Sequence, residues 1–163
     1  MARAPFEVAD LRLAPDPALH SYVNVENWVW VPKRQWHDVS VSLTVNGATV
    51  TLTASPSKLQ VDMGDGGGPL VCRTAGRRWV IGMGDAAQTS CAHAYRTVST
   101  VGTGGGYDAR GRFAVVGRLF YTVAWRCTGR CSAGAGTLPG EYPAPPGDEI
   151  QVEVRQRQTV VTQ

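Results

Sequence analysis

The sequence predicts an all-β protein, an antiparallel β-sandwich with long loops and almost no helix. Three observations carry that prediction. Apolar residues recur with period two in one segment after another, and no stretch of three helical turns is amphipathic. Glycine (19 residues) and proline (10 residues) punctuate these segments, as tight turns between short strands require. One hairpin can be read down to its register from turn chemistry and hydrophobic pattern together.

Residues 1–22 read as an irregular N-terminal segment, in which Asp16-Pro17 has the chemistry to cap a single helical turn. Residues 23–163 read as one domain. Val23 to Val31 alternates as a strand, with Trp28 and Trp30 on one face and Val29 and Val31 on the other. Pro32 to Gln35 turns the chain. Val39 to Val45 and Ala48 to Ala54 flank Asn46-Gly47, which supplies the two positive-φ residues of a type I′ turn. A two-residue turn pairs Val45 with Ala48, Leu43 with Val50, Val41 with Leu52 and Val39 with Ala54. The opposite face then pairs Thr44 with Thr49, Ser42 with Thr51 and Ser40 with Thr53. A slip by one residue would bury the hydroxyls, so the apolar face is expected to be the inward one.

Ser55-Pro56 reads as the end of that strand. Leu59 to Met63 is another, stopped by Gly64-Asp65-Gly66-Gly67-Gly68-Pro69, and Leu70 to Cys72 follows. Residues 73–90 form a long excursion around Trp79-Val80-Ile81, and Cys91 to Tyr95 is short and bounded. Residues 99–111 are a glycine-rich loop. Phe113 to Trp125 is the strongest strand, with Phe113, Val115, Leu119, Tyr121, Val123 and Trp125 on one face. Val116 and Phe120 on the other face make it central. Residues 126–149 are a second long loop, and Ile150, Val152 and Val154 mark a half-exposed final strand. Seven or more strands of this kind make a sandwich.

Composition narrows the function. A chain of 163 residues that is 43% apolar can bury a core unaided. Its net charge of +3 falls short of the clustered footprint that nucleic acid or an anionic membrane demands. No run approaches the ~20 apolar residues of a membrane span. Met1 to Glu7 has no apolar signal-peptide region, so the chain is either cytoplasmic or a piece of a longer exported protein. The four cysteines fall in two local pairs, Cys72 with Cys91 and Cys127 with Cys131, as a disulfide framework would have them. Closing the first loop would contribute about 3 kcal/mol. Two rivals stand beside this reading: zinc held by these sulfurs and His93, and free thiols in a reducing compartment.

Val61-Asp62-Met63-Gly64-Asp65-Gly66 resembles the strand-and-turn signature of polycystic-kidney-disease-type (PKD) domains. Cys91-Ala92-His93-Ala94-Tyr95 resembles their His-Thr-Tyr element, and Phe113 to Trp125 sits where their next strand lies. The chain is similar from about Val23 to about Val154 to PKD-like domains of actinobacterial exported or membrane-anchored proteins. The shared features are the Trp28-x-Trp30 strand, Trp36, the Gly-Asp-Gly turn, Cys72, Cys91-x-His93-x-Tyr95 and a strand ending in Trp125. Val61 in place of the usual Trp, and the 73–90 insertion, depart from the pattern. The resemblance implies an immunoglobulin-like sandwich at the cell surface or outside the cell, serving as spacer, scaffold or recognition module without catalysis.

In physical terms, Asp62, Gly64, Asp65 and Gly66 build a turn, each carboxylate bonding the backbone amide two residues on. The set lacks the oxygen series of a calcium loop. His93 and Tyr95 are structural, the Tyr95 hydroxyl bonding backbone as a tyrosine corner does. Cys91 and His93 point the same way in a strand, so a nucleophile pair is the enzymatic rival. Neither Gly64–Gly68 nor Gly102–Gly106 leads into the Lys and helix of a phosphate loop, so no nucleotide or other cofactor is expected. Trp28, Trp30, Trp36 and Trp79 either fill the core or form a surface row for stacking on sugar. Arg77-Arg78 reads as solvated loop charge. The expectation is a non-catalytic structural or protein-interaction module with a protein partner or self-assembly. The alternative is a module binding cell-wall glycan through its tryptophans.

Overall fold

The computed structural model describes residues 6–99 and 111–157. The glycine-rich loop of 99–111, with Gly102–Gly106, therefore lies almost wholly outside the described residues. Among those described, the strands are β1 (Arg12–Ala14), β2 (Ser21–Tyr22), β3 (Glu26–Trp30), β4 (Val39–Val45), β5 (Ala48–Asp62) and β6 (Leu70–Cys72). They continue as β7 (Ala92–Ala94), β8 (Phe113–Gly129), β9 (Ala135–Thr137), β10 (Tyr142–Pro143), β11 (Ile150–Val152) and β12 (Val154–Arg155). Among the described residues the helical content is one 3-10 turn at Lys33–Gln35. The protein is all-β.

Two long strands carry the larger sheet. β5 has 15 residues and β8 has 17, and they pair antiparallel from Ala48↔Gly129 to Asp62↔Val116. β4 and β6 flank opposite ends of β5, while β9, β10 and β11 occupy stretches of β8's other edge. A smaller antiparallel sheet runs β1-β3-β7, and β2 and β12 form a short parallel pair. Pro56 does not end its strand. It lies at a register shift between Pro56 and Lys58, which absorbs the missing amide as a bulge does. The extra residue, Ser57, bonds the Phe120 carbonyl (3.2 Å) and Glu141 (2.7 Å) instead.

The N-terminal segment expected to be irregular contributes β1 and β2. Each is too short to show a period, and each owes its strand character to its partner, β3 for one and β12 for the other. The β4–β5 hairpin has the register read from its turn, Val45↔Ala48 through Val39↔Ala54, with Asn46 and Gly47 at positive φ. Its hydroxyl face is laddered: Ser40–Thr53 at 2.9 Å, Ser42–Thr51 at 2.7 Å and Thr44–Thr49 at 2.8 Å.

One core serves both sheets. Leu59, Val61 and Met63 from the β5 end and Phe113, Val115, Leu119, Tyr121 and Val123 from β8 share it with Leu13 of β1 and with Val29 and Val31 of the β3 segment. Two sheets sharing a core are consistent with the expected sandwich. The core stops at Ala54 and Val123. Beyond them β4, β5 and β8 run on as an arm whose apolar face is open: Val41, Leu43, Val45, Val50 and Leu52 are all exposed, Leu43 by 68%. The inward face expected from the alternation is therefore an outward one, because no second layer among the described residues reaches this far.

Candidate functional site

β3 presents its two faces to two environments. Val29 and Val31 enter the core, and Trp28 and Trp30 look away from it. β1 pairs beside them, setting Arg12 across from Trp30 and Ala14 across from Trp28. The 73–90 excursion is tied down next to this face. Val31 N–H donates to the Ala75 carbonyl (2.8 Å), and Gly76, at φ 79°, passes so close to β3 that a Cβ would lie 2.3 Å from the Val29 carbonyl oxygen. A side chain at 76 would lift the excursion off β3.

The result is an open cleft of about 980 Å³, into which Trp28, Trp30, Trp79, Leu19 and Ile81 project. Trp28 is nearly covered, at 6%, with the Arg77 guanidinium 5.7 Å from its ring centre. Trp30 is half-buried and Trp79 is exposed by 41%. Trp36 does not join them; it packs against the core beside the 3-10 turn. Three of the four tryptophans singled out in the sequence thus line one cleft.

A second depression adjoins the first and shares Arg12, Trp30 and Arg78 with it, adding Lys33, Arg34 and Arg77. Arg12 and Arg34 both donate to Asp10 Oδ2, at 2.9 and 2.8 Å. Asp10 is held in turn by Gln35, a buried side chain whose Oε1 accepts from the Asp10 amide (2.7 Å) and whose Nε2 donates to the Val8 carbonyl (2.8 Å). Arg77 donates to the Gln88 carbonyl at 3.0 Å. Lys33 and Arg78 meet no carboxylate among the described residues. Asp16 and Glu26 line the opposite end of the cleft, so its polarity runs from cationic to anionic. These cations come from three segments far apart in sequence. No local pattern announces them; only the β1–β3 pairing and the docked excursion bring them together.

The Gly-Asp-Gly turn lies elsewhere and is a latch. Asp62 Oδ1 accepts from Gly64 N–H (2.9 Å) and Asp65 Oδ1 from Gly67 N–H (3.1 Å). Asp65 Oδ2 is 2.7 Å from His93 Nε2. Gly64 is required, since a Cβ there would sit 2.4 Å from the Ala114 carbonyl oxygen. Tyr95 is fully buried, stacks on Phe113 with ring centres 4.7 Å apart, and donates its hydroxyl to the Met63 carbonyl (3.0 Å). Burial, reinforced by the Asp65 and Asp62 carboxylates, pushes its pKa well above the ordinary phenol range, so the proton for that bond stays in place. Gly66 completes the turn at φ 77°.

All four cysteines are oxidised, Cys72 to Cys91 across the core and Cys127 to Cys131 at the tip of the arm. No sulfur remains as a thiolate, which removes the zinc set of Cys72, Cys91, His93, Cys127 and Cys131. It also removes Cys91 as a nucleophile beside His93. No helix among the described residues is long and apolar enough to cross a membrane. Compared with protein-family models, curated proteins and solved structures, the chain matches none.

Proposed function

We propose that this chain is a non-catalytic structural module of a surface or secreted protein, PKD-like in kind, that associates with a second copy of itself through its arm. The observation carrying this reading is the continuous exposed apolar face of Val41, Leu43, Val45, Val50 and Leu52. Solvated sheets do not keep such a face without a use, since it is an aggregation hazard unless covered.

A second copy suits it on three counts. By the strand register, Val39, Val41, Leu43, Val45, Ala48, Val50, Leu52, Trp125 and Cys127 share one face, and none is charged. Two copies meeting there set no like charges together, although each chain carries +3 overall. The face is also the right size for a reversible contact. Seven residues of strand span about 23 Å and four strands about 19 Å, so two copies face to face would cover roughly 800 Å² in total, the scale of a weak dimer. The disulfide across Cys127 and Cys131 ties the strand end at the arm's tip and keeps it from fraying. Two disulfides suit an oxidising compartment, which supports the reading of a module working outside the cytoplasm.

Sedimentation velocity over a concentration series tests this. A monomer–dimer equilibrium in the micromolar range is expected, abolished by Leu43→Lys with the melting temperature unchanged. A wild-type protein that stays monomeric up to several hundred micromolar overturns it.

A second reading has its own observation. Trp28, Trp30 and Trp79 converge on one cleft, with two indoles reachable from solvent, and such aromatic faces stack on sugar rings. Retention on cell-wall polysaccharide, lost on Trp79→Ala without unfolding, is its test.

A further inference from the structure

We propose that the Trp30 end of the cleft binds an acidic polysaccharide, a chain of sugars bearing carboxylates. This rests on the sugar-stacking reading of the cleft and specifies its ligand.

The charge distribution points to an anion. Arg12, Lys33, Arg34, Arg77 and Arg78 surround Trp30. The one carboxylate bonded among them is Asp10. The whole chain has 16 basic and 13 acidic side chains. Setting aside these five cations and Asp10 leaves 11 against 12. The positive charge of the molecule is therefore concentrated at the Trp30 end of the cleft, and everything outside that end, Asp16 and Glu26 of the opposite end included, is close to neutral. Clefts lined by one sign of charge raise the local concentration of the opposite sign.

The cations are also poised. A shared acceptor holds Arg12 and Arg34 in place, yet their side chains remain 56% and 66% exposed. Each guanidinium has five N–H donors, so most stay free for a ligand carboxylate. Lys33 and Arg78 have no carboxylate of their own among the described residues. An indole between such cations serves a ligand that is flat and apolar on its faces and anionic at its edge. A pyranose ring with a carboxylate has that form. Single-stranded nucleic acid combines stacking faces with negative charge too, but two disulfides suit a compartment where polysaccharide is the commoner polyanion.

The experiment compares polygalacturonate with its methyl ester, the same backbone with its charge removed, and with oligo-dT, by calorimetry at low and high salt. Polygalacturonate is expected to bind about tenfold or more tighter than the ester, and more weakly as salt screens the cleft. Lys33→Glu/Arg78→Glu should abolish binding to the acid polymer, and Lys33→Gln/Arg78→Gln should weaken it, with melting temperatures within a few degrees of wild type. Equal binding of acid and ester overturns the acidic specificity and leaves the sugar reading standing. Binding of neither sugar overturns both. Tighter binding of oligo-dT than of polygalacturonate reassigns the cleft to nucleic acid and overturns the proposal.

Discussion

The two ends of the β5–β8 ribbon obey the same alternation and have opposite fates. At one end Leu59 and Val61 oppose Leu119 and Gly117, and both aliphatics of β5 are wholly buried. At the other Leu52 and Val50 oppose Trp125 and Cys127, and both are exposed. Nothing in the period-two pattern distinguishes them. The difference lies in what arrives from elsewhere: β1 supplies Leu13, and β3 with the residue after it supplies Val29 and Val31, over the first end, and no described strand covers the second. Alternation thus sets which side chains share a face and where strands pair, while a separate stretch of chain decides whether that face meets protein or water.

The largest effect should separate the two ends by truncation. Leu59→Ala removes a side chain with no exposed surface and should cost about 3–4 kcal/mol, combining lost burial with a cavity. Leu52→Ala, the same change seven positions earlier, should stay within about 0.5 kcal/mol in dilute monomer. Urea midpoints measure both. Equal losses would mean that the arm is covered in solution, and the contrast drawn from exposure would break.

The two disulfides repeat the comparison. Cys72 and Cys91 lie 19 residues apart and both are buried. Cys127 and Cys131 lie 4 apart, on the arm. Loop-closure entropy alone gives about 3 kcal/mol for the first and about 2 for the second. The first also joins β6 to the turn before β7, linking the larger sheet to the smaller, so its loss loosens the packing of one on the other. Cys72→Ala/Cys91→Ala should lower the melting temperature well below that of Cys127→Ala/Cys131→Ala. The reverse order in calorimetry would make the arm, and not the shared core, the cooperative unit.

Much of the fold was legible because it is local. The Asn46-Gly47 turn fixes seven residue pairs of β4 and β5, and the face of β8 was countable from Phe113 onward. The Asp62 and Asp65 bonds to amides two residues on follow from Asx chemistry. What escaped is non-local. β1 and β2 have three and two residues, too few for a period. Pro56 looked like a terminator because a bulge that accommodates it depends on Phe120 and Glu141, more than sixty residues away. The cleft was half visible: its tryptophans stood out by type, but Arg12 reaches Trp30 only through strand pairing, and Arg77-Arg78 gains meaning only where Ala75 bonds Val31.

The smallest effect sits at the junction of the two ends. Glu141, just before β10, reaches back to the bulge of β5. It accepts from Lys58 at 2.5 Å and Ser57 at 2.7 Å, with Arg73 at 3.3 Å, while the Lys58 ammonium also lies 4.4 Å from the Phe120 ring centre. The hydrogen bond from Lys58, then that from Ser57, holds the Glu141 carboxyl below its ordinary range. A carboxylate whose pKa is lowered by folding contributes stability wherever the unfolded chain's Glu is already ionised, above its ordinary pKa of 4.5. That contribution fades as pH falls through the lowered folded value. Glu141→Gln should therefore be less stable than wild type at pH 7, and the gap should shrink from about pH 4.5 downward until the two coincide. Salt should narrow the gap at pH 7, since the group is near the surface. Chemical denaturation across pH reads this directly. A gap that persists unchanged at pH 2 would show that Glu141 acts by packing alone, and that the bulge joining the covered end to the bare arm does not depend on its charge.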